Sequence, residues 1–365
     1  MKKKFRRLWA VIMLFLVVAL LMTGYAGWLN PNKWSWLAVA GYAFPIALVL
    51  TVASLVVCAL MCKRLLPIPF VGLLLAYQPV THYCPLHRSQ QTPKDAFKLL
   101  SYNTYNMGKG HMEPDDRTEK NKRLIQYIAN SGADIVCLQE APLGLCPDSL
   151  VSHWAYVDSI CGKGGSQIVI FSRYPILRKQ KIHYDTKGNL TGVFWLNKDG
   201  RELIVINNHL QTMGFSMKER RDFGNMMHGE RKEKEYIKST SRTIVGKIFE
   251  SSRIRAHQAD SVAAFMRRHC STPMIICGDF NDIPQSYTCH TISNPGKGVD
   301  GKNMDINDCY RSTAFGPGYS YGHFGMRVRI DNILCTQQLT PYNCKVDNSI
   351  SSSDHYPLTC FFTMQ

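Results

Sequence analysis

The chain opens with uncharged apolar runs and then changes rhythm. From Leu8 to Trp28 no charged residue occurs, and residues 35–62 form a second uncharged run that ends at Lys63–Arg64. A third, shorter stretch, Leu65 to Val80, carries Pro67 and Pro69. About 20 apolar residues suffice for a helix to cross a bilayer, so the pattern predicts membrane helices at about 8–28 and 36–62, and a third candidate at 65–80. A cleaved signal peptide fits poorly, because a second long apolar run follows at once. Positive clusters at 2–7 and 63–64 both belong on the cytoplasmic side. A third crossing then puts the rest of the chain outside the cytoplasm. Without it, the rest stays inside. The expectation is an integral protein of the cell (inner) membrane, with three spans favoured and the following domain extracytoplasmic.

From Thr81 onward, polar residues are frequent and short apolar runs alternate with turn signals. Strands are expected at Lys98–Tyr102, Asp134–Leu138, Gln167–Phe171, Gly192–Leu196, Leu203–Asn207, Met274–Cys277, Arg329–Leu334 and Leu358–Phe362. Leu124, Ile125 and Ile128 have helical spacing within Thr118–Asn130, which ends near Gly132. Met217–His269 is charged and helical in pattern, with a break expected near Gly224–Gly229. Many short strands and two helical stretches point to a mixed α/β layered domain. The expected division is an anchor over 1–80, a linker over 81–96 and a catalytic domain over 97–365.

The composition adds a strong basic bias. Forty-three Lys and Arg stand against 27 Asp and Glu, a net charge of +16. Such a balance suits anionic partners, whether phospholipid headgroups, nucleic acid or phosphorylated small molecules. Thirteen cysteines, with no CxxC pair and no Cys/His zinc spacing, leave the compartment open. Cys137, Cys277, Cys335 and Cys360 sit inside apolar runs, where a buried thiol is expected.

Polar residues recur at the expected carboxyl ends of the strands: Asn103, Glu140, His209, Asp279 with Asn281, Asp331, and Asp354 with His355. The set is rich in hard oxygen donors suited to Mg²⁺ or Mn²⁺, with two imidazoles for proton transfer. It supplies what hydrolysis of a phosphate ester needs: a metal, a base for water, and donors to the phosphoryl oxygens.

The segments LLSYNTYNMG (99–108), DIVCLQEA (134–141), NNHLQT (207–212), IICGDFND (275–282), VRIDNIL (328–334) and SSDHYPL (352–358) follow one another in this order. Together they resemble the endonuclease/exonuclease/phosphatase family over nearly the whole region from 97 to 363. The resemblance implies a four-layered sandwich of two mixed sheets flanked by helices. It implies Glu140 as the principal metal carboxylate, joined by Asn103 and Asp354, with Mg²⁺ or Mn²⁺ as cofactor. It implies Asp279 and Asn281 as the pair that orients water and grips the phosphate. His355 is the implied essential histidine, Asp331 the carboxylate that fixes its tautomer, and His209 a donor to phosphate or leaving group. Arg173, within SRYPI, and Asn106, a competitor of Asn103, are candidate substrate contacts.

The basic segment Met217–Arg255 follows His209 and reads either as an arm toward an anionic surface or as a solvated helix pair. The expected activity is metal-dependent hydrolysis of a phosphate ester near a membrane, a lipid headgroup being one candidate. A nuclease with the same chemistry is the alternative. A catalytically inactive scaffold is the third reading, disfavoured because every expected catalytic position is filled.

Overall fold

The structure, a computed structural model, describes residues 3–110, 114–227, 229–230, 233–323 and 326–365. Arg231 and Lys232 of the basic segment therefore lie outside the described residues.

After the apolar helices, fourteen strands are described: β1 (Phe97–Asn103), β2 (Ile135–Gln139), β3 (Tyr156–Cys161), β4 (Gln167–Ser172), β5 (Ile176–Ile182), β6 (Leu190–Lys198), β7 (Arg201–His209), β8 (Met274–Asp279), β9 (Ile306–Asp308), β10 (Tyr321–His323), β11 (Met326–Val328), β12 (Asp331–Thr336), β13 (Leu339–Val346) and β14 (Leu358–Met364). Twelve build two six-stranded sheets, ordered β13-β14-β1-β2-β4-β3 and β5-β6-β7-β8-β12-β9. Both are mixed, and helices flank them, as expected.

The central strands carry apolar residues on both faces because both faces are covered. Successive side chains point to opposite faces. Ile135 and Cys137 of β2 therefore enter the core between the sheets, where Ile275 and Cys277 of β8 meet them. Val136 and Leu138 turn outward onto Leu124 and Ile128 of the helix Pro114–Ala129. Met274 and Ile276 turn outward onto Val262, Phe265 and Met266 of the helix Lys234–Arg268. Each fully buried Ile, Leu or Phe contributes about 1.5–3 kcal/mol, so the alternation holds four layers together.

The helical break after Met217 comes later than Gly224, since Met217–Met227 is one helix and the next begins at Lys234. Strands β3, β5, β9, β10, β11 and β13 were not expected. β3 is mostly half-buried and β5 mostly solvated, and β5 reads as a charged segment, so no apolar alternation marks it. All thirteen cysteines are free thiols, most of them buried.

The N-terminal region forms a three-part helical bundle. Arg6–Gly24 and Ser35–Met61 are each long and apolar enough to cross a membrane. The third candidate is a pair, Lys63–Leu75 and Tyr77–Tyr83, bent by 64°. Gly24 lies against Phe44 and Pro79, whereas deeper in the bundle the Cys58 thiol reaches the Met13 sulfur at 3.2 Å. The bundle therefore runs up, down and up. Lys4, Arg6 and Arg7 share its far end with Lys63 and Arg64, and the near end meets the sandwich.

Candidate active site

One edge of the sandwich collects the chemistry, and strand direction explains why. β1 and β2 are parallel, with Asn103 beside Gln139, so both carboxyl ends reach this edge. β7 and β8 are parallel too, with His209 beside Asp279. Asp331 and His355 correct the expectation that every candidate closes a strand. Asp331 opens β12, which is antiparallel to β8 and pairs Asp331 with Asp279. Asp354 and His355 precede β14, whose first residue, Leu358, pairs with Ser101 of antiparallel β1. Amino ends of antiparallel strands thus meet carboxyl ends of parallel ones.

Local backbone supports the convergence. An added Cβ on Gly278 would meet the Asn208 carbonyl oxygen at 2.0 Å, and its φ is +118°. Only glycine allows β7 and β8 this approach. Glu140 and Asn281 hold left-handed φ of 50° and 52°, an uncommon conformation for residues bearing a Cβ. Asn207 stitches the sheets at their buried seam. It accepts from Gln139 Nε2 at 2.7 Å and donates to the carbonyls of Leu138 and Val169 at 3.1 and 3.3 Å.

Around Asp279 the polar groups lie in direct reach. Asn103 Nδ2 donates to Asp279 Oδ2 at 3.0 Å and to Glu140 Oε1 at 3.3 Å. Asn281 donates to Asp279 through its side chain at 3.0 Å and through its backbone at 2.8 Å. His209 Nε2 lies 3.4 Å from Glu140 Oε1 and 3.9 Å from Asp279 Oδ2. His355 Nε2 lies 3.7 Å from Asp279 Oδ2, while its Nδ1 is 2.8 Å from Asp331 Oδ2. Ser353 Oγ ties the last loop to β1 by donating to the Asn103 carbonyl at 2.8 Å.

Burial and charge set the protonation states. Burial pushes the Asp279 carboxyl up to about 6, with Asp331 adding to the rise and the two histidines opposing it. Burial and the Asp354 charge raise Glu140. The two histidines move in opposite directions. Burial lowers His209 below the ordinary imidazole range. Burial also acts to lower His355, but the Asp331 and Asp279 carboxylates outweigh it and raise it well above that range. Two like groups pushed apart in this way are suited to different proton roles.

Ligand atoms of Asp279, Asp331 and His355 lie within 4.8 Å of one another. Asp331 and His355 are already joined by a hydrogen bond, which suits a carboxylate–imidazole pair better than two metal ligands. Glu140 and Asp354 raise the negative potential beside Asn103, and these oxygen donors fit a hard divalent cation.

Two expected residues are elsewhere. Arg173 follows β4, whose Ser172 pairs with Ile135 at the opposite end of antiparallel β2. There it forms an ion pair with Asp134 at 3.2 Å. Its strand runs the wrong way for a substrate contact. Asn106 sits exposed in the turn after β1, within a run of left-handed residues from Tyr105 to Met107, so Asn103 is the amide that faces the site.

Two further residues join the site. Arg220 Nη1, from the helix Met217–Met227, lies 3.5 Å from Asp354 Oδ2, so part of the basic segment borders the site. Tyr321 packs edge-on against the His355 ring at 5.1 Å.

Residues 103–355 match the model of the Endonuclease/Exonuclease/phosphatase family. Residues 6–83 match a model described only as a domain of unknown function. No curated protein matches. Among solved structures, the chain is similar to a humanized D. rerio TDP2 carrying 14 mutations, at 14% identity and TM-score 0.51, covering 74% of this chain and 100% of that one. It is similar to ANGEL2, described as a 2',3'-cyclic phosphatase and solved with adenosine-2',3'-vanadate, at 15% identity and TM-score 0.51, covering 76% and 99%. A Bacteroides thetaiotaomicron endonuclease/exonuclease/phosphatase family protein aligns at 16% identity and TM-score 0.50, covering 75% and 100%. At such identities these structures speak for the fold.

Proposed function

The chain belongs to the endonuclease/exonuclease/phosphatase family, a family of phosphoester hydrolases, and on that premise we propose that it hydrolyses a phosphate ester at a membrane surface. The observation that carries the reading is the convergence of Asn103, Glu140, His209, Asp279, Asn281, Asp331 and His355 on one sandwich edge, on a chain whose N-terminal helices are long and apolar enough to span a bilayer.

The residues divide the work by their surroundings. Asp279, held by Asn103 and Asn281, presents a carboxylate that orients and deprotonates water. His355, kept protonated by Asp331, places positive charge beside Asp279 and stabilises the crowded phosphorus. His209, kept neutral, donates its Nε2 proton to a phosphoryl or leaving oxygen. Glu140, Asp354 and Asn103 would hold Mg²⁺ or Mn²⁺, which supplies neutralisation of the phosphoryl charge when bound. Arg220 adds a cationic donor at the same mouth.

The membrane context supports an ester presented at the bilayer, such as a lipid headgroup, since an anchored site meets such substrates at high effective concentration. The up-down-up bundle, with Lys63 and Arg64 beside the N-terminal basic cluster, supports three spans, a boundary near residue 80 and an extracytoplasmic catalytic domain. A net charge of +16 and the basic helix Met217–Met227 support a nuclease as the second reading.

The test uses the full chain in lipid nanodiscs with Mg²⁺ or Mn²⁺. Hydrolysis of bis(p-nitrophenyl) phosphate, abolished by EDTA and by Glu140→Ala, is the expected result. Activity that survives both refutes the metal assignment. A panel of phospholipids, plasmid DNA and soluble phosphomonoesters selects the substrate, and DNA cleavage without lipid turnover would establish the nuclease reading. A reporter fused after Gln365 reads the side of the membrane.

A further inference from the structure

We propose that the membrane anchor is a working part of the active site, with Tyr42 as a positioning residue that acts through Asp282 on the loop carrying Asp279 and Asn281. The inference rests on the functional reading above. It goes beyond that reading by making the anchor more than a tether.

Asp282 directly follows Asn281 and is buried at 2% exposure. Its Oδ2 accepts from Arg255 Nε at 3.0 Å and from Thr288 Oγ1 at 2.8 Å. Its Oδ1 accepts from the Ile283 backbone at 3.1 Å and from Tyr42 Oη at 3.0 Å. Among the described residues, Tyr42 is thus the one donor from the anchor to this carboxylate. Arg255, itself fully buried, passes the constraint on by donating through Nη1 to the Gln211 carbonyl at 2.9 Å, two residues beyond His209. A single buried ion pair therefore braces both the His209 segment and the Asp279–Asn281 segment. The anchor closes its open side. Removing one partner from a buried charged cluster leaves unsatisfied charge, so the cluster is sensitive to a single lost donor.

The contact surface is shaped for this docking. An added Cβ on Gly41 would meet the Gln285 carbonyl oxygen at 2.9 Å, and one on Gly27 would meet the Ser286 carbonyl oxygen at 2.7 Å. Backbone lies against backbone at both places, which seats the Tyr42 hydroxyl at a fixed depth. Gln285 Nε2 donates to the Pro79 carbonyl at 3.2 Å, and Trp28 stacks on His290 at 5.5 Å. Arg253 donates to Ser35 Oγ at 2.7 Å from the same helix as Arg255.

The experiment compares full-length wild type, Tyr42→Phe, Asp282→Asn, the double variant and Ser35→Ala in nanodiscs, with bis(p-nitrophenyl) phosphate and Mn²⁺. Tyr42→Phe should lower kcat about tenfold, the effect of one charge-assisted hydrogen bond, while KM holds and the apparent melting midpoint falls by only a few degrees, leaving the chain folded at the assay temperature. Amide exchange across 209–213 and 279–285 should quicken. The double variant should be no worse than Asp282→Asn, and Ser35→Ala should match wild type. Unchanged kcat, unchanged exchange, additive losses, or a loss that follows unfolding would each overturn the proposal. A wild-type chain with no turnover would instead refute the functional reading, and the exchange comparison would still decide whether Tyr42 braces the loop.

Discussion

Replacing Asn207 with leucine removes the polar stitch between the two sheets while keeping similar bulk. Three hydrogen bonds disappear: the 2.7 Å bond from Gln139 and the bonds to the Leu138 and Val169 carbonyls. Each is worth about 1 kcal/mol net, and the Gln139 amide, left with only its longer bonds to the Cys137 carbonyl at 3.3 Å and Ser101 Oγ at 3.4 Å, adds about 1–3 kcal/mol because both residues are fully buried. Leucine burial returns about 1–2 kcal/mol. The net loss is about 2–5 kcal/mol. For a domain of this size about 1 kcal/mol shifts the midpoint by roughly 2–4 °C, so the fall should lie between about 5 and 20 °C. Scanning fluorimetry of the full chain in detergent measures it. Gln139→Leu on the Asn207→Leu background should recover part of the loss, because replacing both partners leaves no buried donor unmet. A midpoint within about 2 °C of wild type, or fully additive losses, would refute the stitch.

Three further outcomes are expected. Asp331→Asn should lower kcat about 100-fold or more and drop the titration midpoint of His355 in an imidazole NMR spectrum, since the carboxylate that raises it is gone; an unmoved midpoint would contradict the pairing. Mn²⁺ affinity should weaken with falling pH, starting above the ordinary carboxylate range, because burial and Asp354 make Glu140 hold its proton and a ligand must lose it; calorimetry in two buffers reads the released proton, and a flat profile from about pH 5 to pH 7 would exclude it. Gly278→Ala should destabilise by more than about 3 kcal/mol, because its Cβ collides with the Asn208 carbonyl oxygen; normal folding yield would show that β7 and β8 can separate.

Much of the site is legible in order along the chain. Runs such as DIVCLQE and MIICGD mark strands buried on both faces, and the acid that ends each run is a candidate because the chain leaves the core there. Motif order then names the family. These are local properties: periodicity records how many faces are covered, and residue type records what chemistry is available. The three apolar runs and the basic clusters between them are local in the same way.

Direction and partnership are not local. Nothing in SRYPI says that β4 runs antiparallel to β2, yet that alone carries Arg173 to the far edge. Nothing in RID or SDH says that Asp331 and His355 meet at 2.8 Å from the amino ends of two strands in different sheets. Arg220 and Tyr42 sit in segments whose composition marks a charged helix and an apolar run, and only packing brings one to Asp354 and the other to Asp282. Periodicity and side-chain chemistry alone settle the layers, the helices long and apolar enough to cross a membrane and the stock of candidate catalytic groups. The tertiary structure decided which groups face one another, because strand order and the docking of the anchor are set by contacts between residues far apart in the chain.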